Sequence, residues 1–108
     1  MMQLGVLELQ NRVRGERPVV VVIGRKRHYP SERALAMWAT AAKHEEVDAI
    51  SFDADDPHHA AFLDELRVAH LPEVLVLQKS VVLERSPSAR DNDDARALLR
   101  AALRRPRR

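Results

Sequence analysis

The stretch PVVVVIG (residues 18–24), followed at once by RKRHYPSERA (25–34), constrains this chain more than any other part of it. Val19 to Ile23 are all β-branched, with no polar residue among them. Such a run reads as a strand buried on both faces. A strand of that kind needs neighbours along its edges and a layer of structure over each face, which points to an α/β architecture. The segment after the strand is equally directive. Pro30 suits the first turn of a helix, where its missing N–H costs nothing. Ser31 and Glu32 come next, and ALAMWATAAKH then places Ala34, Met37, Trp38, Ala41 and Ala42 on one helical face.

The remaining chain supplies the other layers. Residues 4–14, LGVLELQNRVR, have roughly helical apolar spacing weakened by Gly5, and the stretch could equally begin as a short edge strand. VDAISFDAD (47–55) reads as a second strand that ends in acidic residues. Pro57 opens a further helix, HHAAFLDELRVAH, with Ala61, Phe62 and Leu66 inward. EVLVLQ, a polar Lys-Ser turn and VVLER read as an antiparallel hairpin. SPSARDND is a loop in which Asp91 or Asn92 caps a last helix, DDARALLRAALRR. The order is a βαβ unit feeding a hairpin and a closing helix, so the expected sheet is mixed and has helices on both faces. Met37, Trp38, Phe52 and Phe62 fall at inward positions and read as core.

The 108 residues suit one domain, expected over 1–103, with a basic tail at 104–108. The formal charge of +2 is dominated by that tail, since RRPRR carries four arginines, and subtracting them from +2 leaves −2 on the folded body. The basicity therefore argues only weakly for a nucleic-acid-binding domain. The longest apolar run is too short to span a bilayer, and the N-terminus lacks the pattern of a signal peptide, so a cytoplasmic location without membrane attachment is expected. There is no cysteine. Disulfides, thiolate metal sites, cysteine nucleophiles and dithiol redox chemistry are therefore excluded within this chain.

Few residues carry obvious chemistry. Arg25, Lys26, Arg27 and His28 sit where a strand gives way to a helix N-terminus, a place suited either to a solvated loop or to an anion. His28 and Ser31 have the spacing of a hydrolytic pair, but no carboxylate is evidently placed to orient the histidine, and serine at a helix start is usually a cap. In DADDPHH (53–59), adjacent His58 and His59 diverge on a helix, and the aspartates lack the glycine turn and closing glutamate of a calcium loop. No metal and no cofactor is expected.

The element order, together with two local signatures, resembles the thioredoxin family. HYPS (28–31) stands where that family has CGPC, with Pro30 on the motif proline. HLPEVLVLQ (70–78) matches the later segment whose proline is cis and faces the motif, with Pro72 on that proline. The resemblance runs from about residue 4 to residue 103. It implies a three-layer sandwich with a central mixed four-stranded sheet and a cis bond before Pro72. It also brings His70 near His28. The departures are that His28 and Ser31 replace both cysteines, Val22 replaces the buried proton-transferring aspartate, Arg27 replaces the tryptophan before the motif and Tyr29 replaces its first glycine. The resemblance therefore implies a redox-inactive member.

The expected function is a protein-binding module, whether adaptor, chaperone or assembly subunit, that uses the former active-site face. That face comprises Arg25, Lys26, Arg27, His28, Tyr29, Pro30, Ser31, His70, Leu71 and Pro72. In the family, the residue before the cis-proline offers its backbone to an extended partner, and Leu71 holds that position here. Tyr29, Leu71 and Pro72 are expected to form an apolar patch ringed by Arg25, Lys26 and Arg27, suited to an extended or acidic protein segment. Val81, Val82 and Leu83 on an edge strand also allow a homodimer. One alternative is a nucleic-acid or other polyanion-binding protein using the basic loop and tail, and another is an enzyme with unrelated chemistry based on His28.

Overall fold

The computed structural model describes residues 2–3, 16–79, 81–86, 89 and 91–104. Its elements run β1 (Met2–Gln3), β2 (Val19–Gly24), α1 (Tyr29–His44), β3 (Asp48–Asp53), a 3₁₀ turn (Pro57–His59), α2 (Ala60–Glu65), β4 (Glu73–Gln78), β5 (Val81–Ser86) and α3 (Asn92–Leu103). The valine run is β2, at the middle of a sheet ordered β1-β3-β2-β4-β5. β3 lies parallel to β2, with Val21 opposite Ile50, while β4 lies antiparallel, with Val21 opposite Leu75. The four longer strands are those expected from the sequence. Met2–Gln3 adds a two-residue fifth, parallel to β3 at the edge. The helix expected over 4–14 and the basic tail beyond Arg104 lie outside the described residues.

Because side chains alternate along β2, it feeds two cores. Val20 and Val22 join Ala34, Met37, Trp38, Ala41 and Ala42 of α1 and Ala95, Leu99 and Ala102 of α3. Val19, Val21 and Ile23 join Ile50, Phe52, Phe62, Leu75 and Leu77 on the opposite face, under α2. Trp38 is fully buried, so truncating it to alanine would cost about 3–5 kcal/mol.

Helix ends depart from the sequence reading for reasons of local geometry. α2 stops at Glu65 instead of continuing towards His70. Arg67 adopts the left-handed conformation (φ 56°), and the N–H groups of Arg67 and Val68 return to the carbonyls of Asp64 and Leu63 at 3.0 and 3.1 Å. That arrangement closes a helix. At the other end Pro57 begins a 3₁₀ turn capped by Asp56, which accepts the His58 N–H at 2.9 Å. Phe62 is buried as expected, whereas Ala61 is exposed. α1 ends like α2, with Glu46 at φ 58° and the Val47 N–H on Ala42 O at 3.0 Å. Asp91 caps α3 by accepting the Asp94 N–H at 2.8 Å. Arg104, assigned to the tail from sequence, still donates its N–H to Arg100 O at 3.2 Å.

In β5 a bulge alters the expected exposure. Leu77 faces Val82 and Val76 faces Glu84, so Leu83 is the extra residue. It packs against the α1–α3 core instead of facing solvent, while Val81 and Val82 stay exposed. Glu45, just past α1, ties that helix to α3: its two carboxylate oxygens meet Arg96 Nε at 3.2 Å and Arg100 Nε at 3.0 Å. Burial pushes this carboxyl up, but the hydrogen bonds and charges of Arg100 and Arg96 outweigh it, and the group titrates below the ordinary glutamate value of 4.5.

Two outcomes are expected. Glu46→Gly should stabilise the protein by roughly 0.5–1 kcal/mol in urea unfolding, because glycine adopts the left-handed backbone without a Cβ clash. Since the folded pKa of Glu45 is depressed, its contribution is present above the unfolded value and lost as pH falls through the folded one. The melting-temperature gap between wild type and Glu45→Gln should therefore be widest at neutral pH and close as pH falls below the ordinary glutamate value.

Candidate functional site

β2 ends at Gly24, and α1 begins five residues later against it. A Cβ on Gly24 would lie 2.6 Å from Ser31 Cβ, closer than such atoms approach, so glycine is what lets the first turn of α1 pack onto the strand end. Ser31 is only 5% exposed. Its Oγ accepts the Arg25 N–H at 3.1 Å and lies 2.6 Å from His28 Nδ1. With the ring proton on Nε2, the Ser31 hydroxyl donates to Nδ1 while its oxygen accepts the Arg25 N–H. The expectation that Ser31 caps the helix is thus corrected. The cap position belongs to His28, which makes no side-chain cap bond, and Ser31 lies within the first turn, turned inward against Gly24. His28 and Ser31 are paired as their spacing suggested, but the hydroxyl is a buried clasp between loop and helix. Among the described residues no carboxylate is bonded to His28.

The cations of the loop meet an acidic counterpart. Arg25 Nε lies 3.3 Å from Asp55 Oδ1, and Lys26 Nζ lies 3.9 Å from Asp53 Oδ2. Asp53 also accepts the Asp55 N–H at 2.9 Å. Arg27 occupies the left-handed region (φ 57°) and is exposed, and among the described residues it has no ion-pair partner. DADDPHH, which resembled a ligand set, is occupied in building this corner. His59 stacks on Phe52 with ring centroids 4.0 Å apart, and its Nδ1 donates to Asp53 O at 2.7 Å. Asp56 is held below the ordinary aspartate value chiefly by the His58 N–H, then by the His58 ring and the charges of His59 and His58. Among the described residues no three His, Asp or Glu side chains converge as metal ligands.

The second predicted segment reaches the same end of the sheet. Ile23 is opposite Glu73 in the antiparallel β2–β4 pair, so the loop after Gly24 and the segment before Glu73 leave the sheet side by side. The Leu71–Pro72 bond is cis, as the resemblance implies. Pro72 is buried, Leu71 packs partly against the α2-side core, and His70 is exposed. Arg85 of β5 pins this segment at both ends. Its Nη1 contacts Glu73 Oε1 at 2.6 Å and Arg67 O at 3.2 Å, and its Nη2 donates to Leu66 O. Nothing in the one-dimensional pattern marked this pair, because the partners are separated by a turn and a strand.

Tyr29 is 74% exposed and Pro30 is also exposed, whereas Leu71 is half-buried and Pro72 of the expected apolar patch is buried. Arg25, Lys26, Arg27 and Ser31 line a cavity of about 310 Å³ on the β3 side, together with Val22, Gly24, Glu32, Leu35, Ser51, Phe52 and Asp53. Sequence reading had no reason to single out Leu35 or Ser51. Among the described residues, no helix is long and apolar enough to cross a membrane.

No family model and no curated protein matches the chain. Solved structures do. A thioredoxin from Trypanosoma brucei brucei superposes with a TM-score of 0.72 at 17% identity, over 96% of this chain and 88% of that one. The oxidised thioredoxin of Plasmodium falciparum gives 0.78 at 13% identity, over 93% and 95%. A designed protein gives 0.79 at 18% identity, over 98% and 95%. With sheet order, cis-proline and strand–loop–helix junction in place, this is a thioredoxin fold. It has no cysteine, so it is a thioredoxin-like chain without the means for thiol–disulfide exchange.

Gly24→Ala should destabilise the protein by about 1–3 kcal/mol, the ordinary cost of overpacking. Adding Ser31→Gly should recover part of that loss in a double-mutant cycle read by denaturant unfolding, since the clash is between those two residues.

Proposed function

We propose that this chain is a redox-inactive thioredoxin-like binding module, an adaptor, chaperone or assembly subunit that engages another protein through the former active-site face. The observation that carries the reading is Tyr29. It is the most exposed large apolar side chain among the described residues, at 74%, and it stands on the first turn of α1 beside a loop whose other groups are largely satisfied internally. A rigid aromatic held out from an ordered helix start is the kind of side chain that anchors interfaces. Leu71 keeps the position from which, by resemblance, the fold offers its backbone to an extended segment. The ion pairs of Arg25 and Lys26 with Asp55 and Asp53 reduce the pull of this face on polyanions, so the protein-binding reading is preferred to the nucleic-acid one.

A photo-crosslinking amino acid at position 29, expressed in the native host, should capture one discrete protein after nuclease treatment. The same probe at position 97, on the exposed side of α3, should not. Tyr29→Glu, at an exposed position, should weaken the purified pair by at least about tenfold at unchanged melting temperature. Capture that disappears with nuclease, or on removing residues 104–108, would overturn the reading in favour of a polyanion binder.

A further inference from the structure

We propose that the cavity beside the Arg25–Arg27 loop is a binding site for a small apolar carboxylate. Small residues open it. Gly24, Ser31 and Ser51 line it together, and Ser51 lies directly opposite Val22 in the β2–β3 register, on the sheet face that α1 covers. Elsewhere under α1 that face is filled by apolar side chains, including Val20, Val74 and Val76. At Ser51 the layer is left thin. Val22 and Leu35 supply apolar wall beside these small residues, whereas Phe52, which also borders the cavity, turns its ring to the opposite face. The cavity's volume of about 310 Å³ sits at the lower end of the roughly 300–1,000 Å³ typical of small-molecule sites, which suits a compact ligand.

Charge at the mouth selects the headgroup. Of the three cations at the mouth, Arg25 is paired with Asp55 and Lys26 with Asp53, so the charge left to act on a ligand is that of Arg27. Asp53 is engaged by Lys26 and the Asp55 N–H, and Arg25 by Asp55. Arg27 alone of the three has no ion-pair partner among the described residues, and its guanidinium suits a carboxylate in two-point contact. The start of α1 adds to the positive potential, because no side chain caps it. Glu32 is the one opposing group, and it is exposed to water. An apolar body with a single carboxylate matches both parts of the site, whereas an amine matches only the walls.

The proposal shares a loop with the protein-binding reading but not Tyr29, Leu71 or Pro72, so each can fail without the other. The full-length protein is titrated with hexanoate, hexanamide and hexylamine while backbone amide resonances are followed. Saturable shifts at Gly24, Ser31, Leu35 and Ser51 are expected with hexanoate, and about tenfold weaker binding with hexanamide, from loss of the charge-assisted contact. Arg27→Gln should lower hexanoate to the level of hexanamide, Glu32→Gln should tighten hexanoate, and Tyr29→Glu should change neither. Ser51→Leu should fill the cavity and abolish binding. If that variant does not fold, the exposed Arg27→Gln decides. The proposal is overturned if no saturable shift appears at these residues, or if the amide or the amine binds as tightly as the acid.

Discussion

Everything in this fold is arranged around β2 being buried on both faces and both edges. Five consecutive β-branched residues cannot be left against water on either side, so one helical layer covers Val20 and Val22 and another covers Val19, Val21 and Ile23. Hydrogen-bonding demand on the same strand recruits β3 in parallel and β4 in antiparallel. The mixed sheet results from those two demands. So does the position of the site, because the chain has to leave β2 where parallel and antiparallel neighbours diverge, and such places leave room at the strand ends.

What occupies that place is a loop that resolves its charges locally. Arg25 and Lys26 meet the acidic end of β3, Ser31 closes the start of α1 onto Gly24, and His59 and Asp56 build the wall behind. Where the thioredoxin motif has two thiols, this chain has a histidine and a buried serine held 2.6 Å apart. The pair joins loop to helix and, having no sulfur, offers no electron chemistry. At this end of the described residues, Tyr29 projects into solvent and Arg25 and Arg27 border a cavity. The two features differ in kind, one being convex and apolar, the other concave with a charged mouth, and they suit different ligands.

The fold was legible because its strongest signals are local and repeated. The valine run, the α1 face from Ala34 to Ala42, the Asp91 cap and the hairpin at Lys79 each depend on neighbours within a few residues, and each stands where the sequence placed it. Legibility failed where a backbone conformation or a remote partner decided the outcome. Arg67 in the left-handed region ends α2 early although arginine is a good helix former. The bulge at Leu83 is a property of the pairing between two strands, and Arg85 reaches Glu73 and the end of α2 only because β5 lies beside β4.

For the site the division is sharper. Sequence alone determined that no thiol chemistry is possible, that a cationic segment comes directly after the central strand, and that a proline follows that segment at 30 and another precedes the hairpin at 72. Those are matters of residue identity and order. Only the tertiary structure decided which carboxylates Arg25 and Lys26 meet, that Ser31 is a clasp and not a cap, and that Leu35 and Ser51 border an open space. These depend on the approach of α1 to the ends of β2 and β3, which no single stretch of residues encodes. Distances of a few ångströms between segments far apart in the chain decide that Arg25, Lys26 and Arg27 border a cavity with Leu35 and Ser51.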